Sequence, residues 1–432
     1  MKKLFVLLFL LGFVCGCAES NSIVPNTPED PIDTPVSETH GMAVAAPMNV
    51  FDRNTEFARL EMTWGGSGII GYNKDTILWL RAGRICTSFV EDRKEIVLPY
   101  CGKTGCSHSD ETCSAYFGSS QYTGFLNDCA YGYFYDPEGF HISELNLITG
   151  KRETIASWKN TDTHEILFND GIVGKDYLVI SYEKRGCKKG YENDSASFVE
   201  TVDLRSKERR IVLDSRAPEH FSTSFSLVGI YANRLVYTAS EFSGTPIPYP
   251  EWLKDAPDDE EHFVSYVHYY NEFVDRILCV LDLGSMKTET ITRRSEGFCD
   301  YCDSFPKLIG RYLVLVEKED LSLYDVSSGS KIFLTTVPGI SNYSMYGDHI
   351  VLIGRENGAL RWRLLRLSTG EMFTIPTDPS APAVPFTVFL ESSGGFVGND
   401  YRNKEDGQGW DRNWVSYEDF INGRLDQGIP FN

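Results

Sequence analysis

Four side chains within residues 101–113 could do more chemistry than any other stretch of this chain. Cys101, Cys106, His108 and Cys113 follow the spacing C-x4-C-x-H-x4-C. Three thiolates and an imidazole make up the donor set of a tetrahedral structural zinc site, and the first spacing lies at the upper limit of common zinc knuckles. The same thiols can oxidise, and outside the cytoplasm disulfides compete with metal. On sequence grounds one or more disulfides weigh ahead of zinc, with free thiols as the third option. Cys299-Asp300-Tyr301-Cys302 is a lone CxxC. Thioredoxin-type use would need a helix start after a strand, so it reads as a local disulfide or half of a zinc site. No glycine-rich phosphate loop, serine elbow or HExxH stands in the chain, and no catalytic residue is assigned.

A second group could bind rather than react. The stretch from Phe242 to Asp275 holds Tyr249, Trp252, Phe263, Tyr266, Tyr269 and Tyr270, with Pro246, Pro248 and Pro250 near its start. Tyr301 lies in another long connection. Large amphipathic rings suit contact with a peptide or a sugar, although some must pack the loop down. Tyr249, Trp252, Tyr269 and Tyr301 are the candidate binding-face residues. The acidic run 255–261 lacks the spaced oxygens and glycine turn of a calcium loop and reads as solvated.

These groups need a scaffold, and an internal repeat supplies one. Leu145-Asn146-Leu147-Ile148-Thr149-Gly150-Lys151 recurs in register at Val202, Leu281, Tyr324 and Leu365. Each copy is an apolar–polar–apolar strand, a tight turn and a second strand, which is a hairpin signal. Starts at 281, 324 and 365 are spaced like four-stranded propeller blades of roughly 40–45 residues. Turn-then-strand units begin at Gly174, Asn233, Gly310 and Gly347, and join strand A to strand B. Looser copies at 70–98 and 394–424 bring the count to seven blades, with six as the alternative. The fold class is therefore all-β, a β-propeller over 46–432. The hairpin copies place the start of each C strand near Leu145, Val202, Leu281, Tyr324 and Leu365. Phe57 to Thr63 is expected to pair with the last blade and close the ring. The long connections, 183–197, 242–275, 403–413, 100–121 and 297–305, all fall on the face of the B–C and D–A loops. Binding function concentrates on such loops.

The N-terminus reads as an address. Lys2 and Lys3 precede an apolar run, Leu4 to Val14, too short to span a bilayer. Val14-Cys15-Gly16-Cys17 resembles the bacterial lipobox, which implies a signal peptide over 1–16 and lipidation of Cys17. Residues 17–45, with Pro25, Pro28, Pro31 and Pro35 among polar residues, read as a disordered tether. Formal charge is −20, from 61 acidic and 41 basic residues. That argues against a nucleic-acid partner, which needs a basic face.

The turns are similar to those of TolB-like and lipoprotein-receptor-type propellers. Leu98-Pro99-Tyr100-Cys101 through Cys113-Ser114-Ala115-Tyr116-Phe117, with Val415 to Gly423, more closely resembles a group of cell-surface propeller lipoproteins of gut Firmicutes. The resemblance implies a membrane-anchored, extracytoplasmic propeller and no particular activity. The expected role is non-catalytic binding of an envelope protein or a glycan through the long-loop face. The alternatives are a glycan hydrolase or lyase with channel carboxylates, or a TolB-like structural factor.

Overall fold

A computed structural model describes Ser37–Glu38 and most of the chain from Phe57 to Pro430. Residues 1–36, 39–56, 63–67, 90–97, 102–105, 217–223, 243–264, 266–268, 270–273, 294–307, 377–385 and 401–410, with some single positions and pairs, lie outside the described residues.

The described chain forms seven antiparallel sheets, each built on four strands consecutive in sequence. This is a seven-bladed β-propeller. Blade 1 runs from Gly68–Asn73 to Leu98–Pro99, and blade 2 from Tyr122–Leu126 to Arg152–Lys159. Blade 3 runs from His164–Gly174 to Arg209–Asp214, and blade 4 from Ser224–Tyr231 to Lys287–Arg293. Blade 5 starts at Leu308–Ile309, blade 6 at Ile340–Tyr346 and blade 7 at Phe386–Ser392. The B strands of the blades carry apolar runs such as Leu178, Val179 and Ile180, all at most 1% exposed. Continuous apolar runs fit sheets covered on both faces by neighbouring blades.

The sequence repeat marks a two-turn junction. Asn146 Oδ1 accepts hydrogen bonds from the amides of Ile148 and Thr149, at 3.1 and 2.9 Å. Asp203, Asp282 and Asp325 cap the same turn in blades 3, 4 and 5. The next residue's amide then crosses to the A–B turn. Leu147 donates to the Asp128 carbonyl, Leu204 to Asp176, Leu283 to Asn233, Val326 to Arg311 and Leu367 to Asp348. The two turns are thus bonded to each other, which is why their sequence signals recur together. In blade 6 Arg366 replaces the capping acid, and Asp348 on the A–B turn accepts from the Ser368 amide instead.

Three expectations are corrected. The C strands end, rather than start, near the repeated residues: Gly139–Asn146, Ser195–Asp203, Val274–Asp282, Asp320–Asp325 and Ala359–Arg366. The recurring chemistry belongs to the turn, and the strand lies before it. Nor does the face rule hold throughout, since the C–D connection of blade 7 carries the short helix Tyr417–Ile421.

The third correction concerns the N-terminal segment. Phe57–Arg59 pairs with the A strand of blade 3, and Glu61–Met62 with the A strand of blade 2. Blade 7 needs no help, because Ile429–Pro430 supplies its fourth strand against Asn413 and Trp414. A strands of adjacent blades touch one another, as in blades 3 and 4, so the added strands lie on the channel side. Ser37–Glu38, within the expected tether, pairs with Met372 and Phe373 on the outer strand of blade 6.

Candidate functional site

Cys101, Cys106, His108 and Cys113 come together in the connection between blades 1 and 2. One ligand atom from each lies within 4.8 Å of all the others. His108 Nδ1 stands 3.2 Å from Cys113 Sγ. Cys113 is buried, and the other three are half-buried. Among the described residues no disulfide joins Cys86, Cys101, Cys106, Cys113, Cys129, Cys187 or Cys279.

Local structure explains the gathering. Cys101 leaves the outer strand of blade 1 with its amide bonded to the Pro99 carbonyl. His108 adopts φ 55, a left-handed conformation uncommon outside glycine. Asp110 Oδ1 accepts from the Thr112 amide at 3.0 Å, and the Cys113 amide donates to the Asp110 carbonyl. This turn delivers Cys113 back towards His108. The Ala115 amide donates to Cys113 Sγ at 3.3 Å. Burial raises the Cys113 thiol pKa, with the Ala115 amide pulling the other way. A buried thiol that receives an N–H and faces an imidazole fits a metal-bound thiolate better than an isolated thiol. The cluster can hold a metal ion, and four protein donors would leave no open position for substrate.

The channel is the second place where the sequence reading looked for chemistry. Arg59 Nη2 lies 2.6 Å from Asp170 Oδ2 on the A strand of blade 3. Asp170 is 8% exposed and also accepts from the amides of Gly171 and Leu227. Burial raises its pKa, while Arg59 and the two amides oppose that rise. Three bonds, two on Oδ2 and one on Oδ1, thus commit this carboxylate to structure. Leu60, 2% exposed, packs over Gly171, where a Cβ would meet Leu60 Cδ1 at 2.8 Å.

The remaining candidates divide. Tyr269 has helical backbone and is half-buried. Tyr249, Trp252, Tyr301, Cys17 and the CxxC at 299–302 lie outside the described residues. Cys86 and Cys279 are buried in strands, as expected of small apolar residues. His349, 3% exposed, packs against Phe396 and Tyr417. Sequence reasoning missed Arg59 and Asp170. An arginine in a short apolar segment ahead of the repeats was the available signal.

No protein-family model matches the chain, and no curated protein does. Among solved structures, an oligogalacturonate lyase in complex with manganese aligns over 85% of this chain and 93% of its own, at TM-score 0.43 and 11% identity. TolB from Acinetobacter baumannii aligns over 76% of this chain and 65% of its own, at TM-score 0.30 and 10% identity. An uncharacterized protein from Listeria monocytogenes EGD-e aligns over 82% and 81%, at TM-score 0.38 and 9% identity. Likeness this remote carries no functional argument, and the propeller assignment rests on the seven sheets themselves.

Proposed function

We propose that this chain is a lipid-anchored, extracytoplasmic propeller of the cell-surface kind that its sequence resembles, and that it binds an envelope protein or a glycan without catalysis. Lipidation of Cys17 holds it to the membrane, and the segment ahead of Ser37–Glu38, which pairs with blade 6, lets it stand off the surface. The loop face of the propeller, with Tyr249, Trp252, Tyr269 and Tyr301, supplies the contacts. The Cys101, Cys106, His108 and Cys113 cluster holds zinc in a structural role.

One observation carries the preference for binding over hydrolysis. The buried acid on the channel side of blade 3, Asp170, is ion-paired with Arg59 and bonded by two amides. Glycoside hydrolysis needs two carboxylates about 5–10 Å apart that are available to protonate and attack. A carboxylate clamped in this way is a poor candidate for either role.

The test uses the full chain in its own membranes. Photo-crosslinking from positions 249 and 252 should capture one dominant protein or polysaccharide, and Trp252→Ala should reduce that capture at least tenfold. Depolymerisation of envelope polysaccharide by the purified chain would overturn the non-catalytic reading. Cys17→Ser should leave an unlipidated chain, and continued lipid labelling of that variant would sink the anchor.

A further inference from the structure

The segment that follows Cys113 also builds the outer edge of blade 1. Among the described residues the fourth strand of blade 1 is Leu98–Pro99, paired with Cys86 and Thr87, and the Tyr100 amide adds one bond to the Ile85 carbonyl. Proline cannot donate to the ladder. The first part of the C strand, Arg84–Phe89, therefore needs other partners. Residues just past Cys113 provide them. The Ile85 amide donates to the Ala115 carbonyl at 2.7 Å, and Tyr116 sits opposite Arg84 as an antiparallel bridge. The Phe117 and Gly118 amides donate to the Gly83 carbonyl at 2.8 and 3.0 Å.

The same segment reaches blade 2. Arg152 Nη2 donates to the Cys113 carbonyl at 3.0 Å. Phe117, 4% exposed, packs in one cluster with Leu78, Leu80 and Ile85 of blade 1 and with Ala130, Leu145 and Leu147 of blade 2. Ser107, Ser109 and Asp110 are exposed and polar, so burial does little to order the stretch that precedes Cys113. A cross-link from Cys101, at the end of the outer strand, to Cys113, at the start of the returning segment, would close this loop and fix both ends.

We propose that zinc bound by Cys101, Cys106, His108 Nδ1 and Cys113 is a clamp that completes the outer edge of blade 1 and closes its seam with blade 2. This rests on the zinc reading above and adds what the metal is for. Binding releases the three thiol protons, and no redox step is involved. Zn–S and Zn–N lengths set tetrahedral ligand separations of roughly 3.5–3.8 Å, and the donor atoms are already gathered to within 4.8 Å. His108 Nδ1 is the donor because that nitrogen faces Cys113 Sγ.

The test starts with metal analysis of the full chain purified without chelator, which should give one zinc per chain. Cobalt exchange should give the absorption of a thiolate-rich tetrahedral site. His108→Cys should keep the metal, and Cys106→Ser should lose most of it. Hydrogen exchange before and after chelation then reads the clamp. The amides of Ile85, Phe117 and Gly118 should exchange at least tenfold faster without metal, with the blade 5 amides of Leu321 and Leu323 unchanged. No zinc, with the thiols free or mapped into disulfides, overturns the zinc reading and the clamp with it. Zinc present but exchange at Ile85 and Phe117 unchanged on its removal overturns the clamp alone.

Discussion

The Arg59 guanidinium reaches the Asp170 carboxylate at 2.6 Å and thereby ties the segment ahead of the first blade to the A strand of the third. The two residues lie 111 positions apart in the chain. The ion pair works with backbone pairing, since Phe57–Arg59 forms a ladder with Ile172 to Gly174 and the Leu60 amide donates to the Gly171 carbonyl. The strand in the channel is therefore part of the folded domain. A truncation starting after Met62 would remove a piece of the core.

Arg59→Met should destabilise the domain by about 3 kcal/mol, the scale for removing one partner of a buried pair. Burial already raises the pKa of Asp170, and loss of Arg59 would raise it further. The sign follows from linkage. A carboxyl whose folded pKa lies above its unfolded value costs stability once pH exceeds the unfolded value, and costs nothing below it. The gap between wild type and Arg59→Met should thus be largest near neutrality and shrink as pH falls towards about 4. Denaturant midpoints across that range check it, and a gap that stays constant with pH would show that the charge pair is not the cause.

The sequence displayed the blades because their turns share one chemistry. Asn146, Asp203, Asp282 and Asp325 cap equivalent turns by the same bonds, and short-range bonds leave short-range signals. The destination of Phe57–Met62 was not legible for the opposite reason. Its partners are backbone groups of Gly171 to Gly174, the side chain of Asp170 and, for Glu61–Met62, Tyr122 and Thr123, all far along the chain. A two-strand addition to an inner edge has no spacing rule. The cysteine–histidine cluster lies between these cases. Its four side chains are close enough in sequence to be seen, yet the bonds that join Ala115 to Ile85 and Phe117 to Gly83 just beyond it are not.

A second charged group ties blade 2 to blade 3. Glu200, 4% exposed, accepts from Arg209 Nε at 2.5 Å and from Trp158 Nε1 at 2.8 Å. Arg209 also lies over the Trp158 ring, 4.7 Å from its centroid. Burial pushes the Glu200 carboxyl up, but the bonds from Arg209 and Trp158 outweigh it and hold its pKa below the ordinary carboxylate value. Here the linkage sign is opposite to that of Asp170. A depressed folded pKa adds stability above the unfolded pKa, and that contribution is lost as pH falls through the folded value. Glu200→Gln should cost about 1–2 kcal/mol near neutrality, the range for charge-assisted bonds discounted for the partly exposed Arg209. Its deficit should fade in acid. Equal deficits at both ends of the range would place the loss in packing instead.

The fit between channel strand and blades can be tested by adding a single methyl group. Gly229, on the A strand of blade 4, faces Phe57 so closely that a Cβ would lie 2.7 Å from Phe57 Cζ and 2.8 Å from Leu308 Cδ2. Both neighbours are buried, Phe57 at 7% and Leu308 at 3% exposure. Gly229→Ala should therefore overpack the site and destabilise by about 1–3 kcal/mol. Phe57→Ala alone should cost about 3 kcal/mol by leaving a cavity. Combined, the two should cost less than their sum by at least about 1 kcal/mol, because the new methyl would enter space the ring has left. A double-mutant cycle by chemical denaturation measures that coupling. Strict additivity would mean that Phe57 does not rest on Gly229, and that the strand ahead of blade 1 is not seated in the channel.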